Sequence, residues 1–499
     1  MLEDYNGVVK SKKTIEDLSP DLFGDQIDVY SGSTVFAATD ASVPTNSGIA
    51  LSIGRKLSNA GPSFSTWLAQ DPDKTVFGRY WVLDIPHMRG TYDARTGWVV
   101  KDQEYVMDHP ETWAGSAMRC SGGEYLPPTV PDMLIDNNLL TKEKTYKPGE
   151  YFSGITVSIP GQGDERLLNI APSQLRPGDG LSYYGSTKSH WRAACTPSVH
   201  NGSGEGFLVL LPNGLRYTFD WMVKRKTSPI EGFPTEELDS RGIERTEVFL
   251  YATKVEDRFG NAAFYTYDPS NPHRLLSIRS SDGAQIAVSY NGSGKIESIS
   301  AGTRIWRYEY VQPVGGSLKP NDLELSGVIL PDGSRWGYQY SDRFAYVGNA
   351  SDQVWQSCSP TVGTFASDKQ PDPKDVSTLT ISHPSGAVGE FRFRKLVHGT
   401  NRAPTTCVVR PADMFPRVAI FGPPPVHVVS SLDRKTISGP GVASMSWNYA
   451  YTPSWSRAEN CGVAVNCDKP TETVSGPTGN RLARPLASRG TTGLATPVM

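Results

Sequence analysis

The stretch from Val255 to Tyr340 constrains this chain most, because it repeats. An aliphatic residue precedes a glycine at one fixed step: Val255 before Gly260, Ile278 before Gly283, Val328 before Gly333. After each glycine comes a strand-like run ending in tyrosine: Ala263-x-Tyr265-x-Tyr267, Ile286-x-Val288-x-Tyr290 and Trp336-x-Tyr338-x-Tyr340. A shorter-spaced copy opens at Gly302 and gives Trp306-x-Tyr308-x-Tyr310. Before the next glycine sits an apolar pair, Leu275 and Ile278, Ile296 and Ile299, or Leu325 and Val328. The glycines stand 23, 19 and 31 residues apart. A loose period of this size predicts stacked repeats rather than one compact domain.

Each unit reads as a β-hairpin. Aromatic and aliphatic residues at every second position share one face of a pleated strand, and polar residues such as Arg335 and Gln339 share the other. Asp282-Gly283, Asp332-Gly333 and Gly260-Asn261 are turn dipeptides that supply positive φ at low steric cost. One hairpin cannot bury its aromatic face alone, so neighbouring units are expected to lie side by side and share it. A run of ordinary hairpins in any all-β domain is the bland alternative.

These residues carry a resemblance. Gly260-Asn261, then Tyr265-Thr-Tyr267-Asp268, then Arg274 to Ile278 and Asp282-Gly283 look like the YD repeat of the RHS family. Only this unit keeps the Tyr-Asp pair; the others end Tyr290-Asn291, Tyr310-Val311 and Tyr340-Ser341. A second match lies elsewhere. Gly24-Asp25-Gln-Ile27-Asp28, a turn, Thr39-Asp40 and the strand Ile49 to Arg55 resemble the opening segment of RHS proteins. The resemblance implies an all-β chain: an irregular β-rich N-terminal region, then a curved sheet of stacked YD-type hairpins, part of an RHS shell. It implies a secreted or cell-surface protein used in toxin encapsulation, bacterial competition or cell contact. Its partner would be the remainder of a longer RHS chain or a C-terminal cargo. The chain is short for a closed shell and lacks the family's self-cleavage segment.

The organisation expected is a polar leader (1–22), opening strands (23–56) and a β-rich insertion (57–203), followed by the hairpin array (204–345). An interrupted continuation (346–455), an incomplete repeat (456–480) and a disordered tail (481–499) complete it. Thr227 to Glu244 reads as a loop spliced into the array, and Met133 to Leu140 as a short helix. The tail has no aromatic and two prolines unable to donate to a ladder. It therefore reads as a repeat broken off, in the front portion of a longer protein.

No catalytic constellation stands out. There is no nucleophile elbow, no His-Glu-x-x-His and no P-loop, and the eight histidines are scattered. A carboxylate pair such as Asp84 with Glu104 has nothing to recommend it over any other. The expectation is therefore no enzyme, no cofactor and no metal. Net charge is −3, so no bulk field draws nucleic acid, and no run is long enough to span a membrane. A wall- or glycan-binding protein stacking sugars on its aromatics is the alternative function, and a carbohydrate-active enzyme a further one.

The cysteines are Cys120, Cys195, Cys358, Cys407, Cys461 and Cys467. Falling two per region, they suggest Cys120–Cys195, Cys358–Cys407 and Cys461–Cys467, hence an oxidising compartment. Six free thiols in a cytosolic protein is the other reading. No secretory signal precedes Leu22 in the chain as written.

Overall fold

The computed structural model describes residues 22–27, 32–58, 75–93, 98, 100–101, 115–116, 119–121, 154–170, 178–230, 243–313, 322–341, 344, 376–399, 426–451, 471–475 and 481–485. Among them every element is a strand, and none is a helix. The strands form one sheet of 22, one of four and one of two. The short-helix expectation at Met133 to Leu140 lies outside the described residues.

The turns explain the repeat. The N–H of Gly260 donates to Asp257 O, that of Gly283 to Ser280 O, and that of Gly333 to Leu330 O. These glycines have φ of 86°, 92° and 84°, a left-handed backbone that costs glycine little. A side-chain cap completes each turn. Asp257 accepts the Phe259 N–H, Asp282 the Ala284 N–H, and Asp332 the Ser334 N–H. Asp268 and Asn291 do the same for Ser270 and Ser293. The Asp and Asn that follow tyrosine are thus equivalent turn formers.

From Leu168–Asn169 to Arg481–Pro485 the strands of the large sheet pair antiparallel in chain order, each with the next. The strand Ile243–Glu256 is a fork. It pairs with Arg216–Ile230 on one side, and on the other with His87–Asp93 and then Ala262–Tyr267. Thr156–Ile159 and Gly163–Arg166 extend the branch.

Three expectations need correction. The array does not begin at Gly204, because Leu168–Asn169, Tyr183–Ser186 and Arg192–Thr196, assigned to an insertion, lead into it hydrogen bond by hydrogen bond. Thr227 to Ile230 and Ile243 to Glu244 are strand, not loop, since ladder pairing uses the backbone and tolerates a charged run. Arg481–Pro485, expected to be disordered, pairs with Thr471–Ser475. Its proline sits at the last pair, opposite Thr471, where a missing N–H costs little.

The small sheet contains β1 (Asp25–Ile27), β2 (Thr34–Val43), β3 (Leu51–Ser58) and β4 (Trp81–Asp84), paired in that order. It lies on the aromatic face of the array. Phe36 meets Phe391 at 4.8 Å between ring centroids, Phe77 meets Tyr308 at 5.1 Å, and Trp81 meets Tyr338 at 5.2 Å. Phe36, Ile53 and Phe77 are completely buried, each worth about 1.5–3 kcal/mol. The hairpins therefore do not cover their aromatic face by lying side by side; the chain's own N-terminal part covers it.

Candidate functional site

The recurrent tyrosine has one structural task. Tyr267, Tyr290, Tyr310 and Tyr340 donate their hydroxyls to the carbonyls of Ala252, Leu275, Ile296 and Leu325, at 2.7, 2.8, 2.7 and 3.0 Å. Each partner lies 15, 15, 14 and 15 residues earlier. The first three tyrosines follow a bulge in the ladder, between Thr266 and Tyr267, Ser289 and Tyr290, and Glu309 and Tyr310. A bulge re-aims the side chain that follows it. Burial holds all four phenols well above their ordinary pKa, so the hydroxyls remain donors. The remaining repeat residues, Tyr265, Trp306, Trp336 and Tyr338, pack on the same core.

The seam between the two sheets is held by buried cations. Arg55, fully buried on β3, pairs with Asp40 of β2, donates to the Tyr338 hydroxyl and lies 5.2 Å from the Trp81 ring centroid. The other Asp40 oxygen accepts the Tyr308 hydroxyl at 2.8 Å. Lys435 binds Asp25 at 2.6 Å, and buried Lys295 donates to the Thr75 carbonyl at 2.8 Å. Backbone bonds add to these: Ile296 N–H to Val76 O, Arg79 N–H to Leu323 O, and Leu432 N–H to Gly32 O.

Beside this seam a cleft of about 580 Å³ opens between β2 and two array hairpins. Ala38, Thr39 and Asp40 form one side, and Trp306, Leu330 and Trp336 the other. Sequence reasoning named both tryptophans as repeat residues, but not their meeting with β2. Residues so far apart in the chain leave no local signal of that contact.

Cys120 and Cys195 are joined, with Cα atoms 5.6 Å apart. Glu205 braces the link by accepting the Cys120 and Ser121 N–H groups at 2.9 and 2.8 Å. Cys358, Cys407, Cys461 and Cys467 lie outside the described residues, as does Glu104. Asp84 stands on β4, its carboxyl pushed up by desolvation and by Asp164, against the pull of Lys56. His200 Nε2 lies 3.1 Å from Asp220, which also accepts the Thr253 hydroxyl at 2.6 Å. An orienting carboxylate with an exposed imidazole is two parts of a relay. Among the described residues no group of three or more potential metal ligands comes together, and no helix is long and apolar enough to cross a membrane.

No protein-family model matches the chain, and no curated protein does. Among solved structures it is similar to the crystal structure of TcdB2-TccC3-Cdc42, at 10% identity over 78% of this chain and 19% of that one, with a TM-score of 0.30. The crystal structure of TcdB2-TccC3-TEV gives 9% identity, 80% and 22% coverage, and a TM-score of 0.25. The N-terminal domain of effector protein SpvB from Salmonella typhimurium strain LT2 gives 10%, 83%, 95% and 0.13. The chain thus spans about a fifth of the first two. Superpositions this loose fix neither family nor activity.

Proposed function

We propose that the chain is a scaffold segment of a secreted or cell-surface RHS-repeat protein, performing no chemistry itself. The observation that carries this reading is the fate of the repeat's polar groups. Tyrosine hydroxyls lock strands, turn carboxylates cap hairpins, Arg55 and Lys435 bind one sheet to the other, and Lys295 holds the segment at Thr75 that leads into β4. Groups bound this way serve architecture. The Cys120–Cys195 link suits an oxidising compartment. The partner in this reading is the remainder of a longer RHS chain or its C-terminal cargo.

Protease protection tests it. The chain is produced together with the polypeptide encoded immediately downstream and treated with a nonspecific protease. The scaffold reading expects the downstream polypeptide to survive in native buffer and to be degraded once urea unfolds the sheet. Its rapid degradation beside an intact sheet would overturn the reading, as would turnover of a glycan or peptide substrate by the purified chain.

A further inference from the structure

The cleft beside the seam contains a strand edge that, among the described residues, has no ladder partner. β1 pairs with β2 only over Thr34 to Phe36, and the Ala37 N–H goes to Gly24 O at 3.0 Å. Past that point β2 pairs with β3 alone among the described residues. Hydrogen-bonding direction alternates along a strand, so the alternation that turns Val35 and Ala37 toward β1 turns the Thr39 backbone the same way, into the cleft. A bulge between Thr39 and Ala41 ends the regular register just beyond.

The charges on the rim already have partners. Asp40 binds Arg55 and the Tyr308 hydroxyl. Arg304 donates to the Ser42 carbonyl at 2.9 Å and lies 5.4 Å from the Trp306 ring centroid. Asp332 accepts the Ser334 N–H and hydroxyl at 2.9 and 2.6 Å. What remains to a ligand is an apolar wall of Leu330 and Trp336, with the rim of the buried Trp306 beside them, facing a backbone edge. A saccharide needs several side-chain partners around its hydroxyls. An extended peptide needs a strand edge and an apolar slot for alternate side chains.

We propose that this cleft receives an uncharged, extended peptide segment of a partner protein. The segment adds to the Thr39 edge of β2 and sets an apolar side chain against the Leu330–Trp336 wall. The volume lies within the range of ligand sites. The proposal rests on the strand edge and stands even if the scaffold reading fails.

The probes are acetylated, amidated heptapeptides of alternating valine and serine, the central residue being Leu, Phe, Trp, Glu or Lys. Binding to the full chain is read by isothermal titration calorimetry. Saturable binding is expected for the Leu, Phe or Trp peptides and not for Glu or Lys. N-methylating the central amides should weaken it about tenfold, as losing one or two backbone hydrogen bonds does. Thr39→Pro, which removes an edge N–H, should weaken it similarly, and Trp336→Ala should abolish the preference for an apolar centre. Thermal melts separate these effects from misfolding, and the N-methyl peptides need no variant at all. Binding indifferent to N-methylation overturns strand addition. Absence of peptide binding overturns the proposal, and saturable binding of neutral oligosaccharides sensitive to Trp336→Ala reassigns the cleft to glycan.

Discussion

Lys435 and Asp25 form an ion pair at 2.6 Å, with each side chain only 2% exposed, across 410 residues of chain. Removing one partner leaves an uncompensated buried charge, so Asp25→Ala should destabilise the protein by about 3–5 kcal/mol in urea unfolding. Asp25→Leu combined with Lys435→Met should restore most of that loss, because two apolar groups can replace a buried pair. A double variant as unstable as the single one would show that the pair does more than hold β1 to the array.

The tyrosine locks predict a graded series. Tyr290→Phe and Tyr310→Phe each remove one hydroxyl from a carbonyl, costing about 1 kcal/mol apiece. Tyr338→Ala, which empties the seam beside Arg55 and Trp81, should cost about 3–5 kcal/mol. Arg335 pairs with Glu309 on the outer face, both about half exposed, and Arg335→Ala should cost about 0.5 kcal/mol or less. Equal losses at Tyr338 and Arg335 would contradict the two-faced sheet.

Acid should weaken the fold in two stages. His87 is partly buried, and desolvation, with Arg89 adding to it, lowers its pKa from 6.5 to about 4 against the pull of the Ile85 carbonyl. It stays neutral when folded while the unfolded chain takes up a proton, so stability declines as pH falls from 6.5 toward 4. His87→Gln should flatten that stage. The turn carboxylates lie below their ordinary 3.8, Asp282 through the Asn46 N–H and Asp332 through the Ser334 hydroxyl. Their contribution is present above 3.8 and lost as pH falls below it. Asp84 has the opposite sign: its raised pKa makes Asp84→Asn stabilising at neutral pH, with the gain fading as acid protonates it. Unfolding midpoints across pH check all three.

The Cys120–Cys195 link spans 75 residues. Reduction, or replacement of both cysteines by serine, should cost about 2–4 kcal/mol by releasing that loop in the unfolded chain. Non-reducing peptide mapping should recover the Cys120 and Cys195 peptides joined.

The hairpin frame was readable because its determinants are local. Gly260, Gly283 and Gly333 lie within a few residues of the aspartates that cap their turns, and the alternating aromatics follow at once. The seam was not readable, because Arg55 meets Tyr338 across 283 residues. Alternation alone sends a lysine such as Lys435 to solvent; only the opposing Asp25 explains its burial. The strand at Arg481–Pro485 was missed for a related reason. Composition speaks to the value of a strand's side chains, whereas Thr471–Ser475 needed only a backbone to pair with. The cleft joins residues from both categories, so the tryptophans were visible in the sequence and the strand edge beside them was not.

The tyrosine locks also explain where this sheet accepts changes of length. From Ala252 to Tyr267, Leu275 to Tyr290, Ile296 to Tyr310 and Leu325 to Tyr340 the reach hardly varies. The irregular spacing of the glycines therefore comes mostly from the connectors between one lock and the next lock's carbonyl, Tyr267 to Leu275, Tyr290 to Ile296 and Tyr310 to Leu325, and for the rest from the earlier turn at Gly302. Each lock is a closed clasp, and the cord between clasps can be lengthened without disturbing either. Insertions by mutation or by design should be absorbed between Tyr310 and Leu325, whereas several residues added between Leu275 and Tyr290, beyond the one-residue range the four locks span, would pull the hydroxyl off its carbonyl.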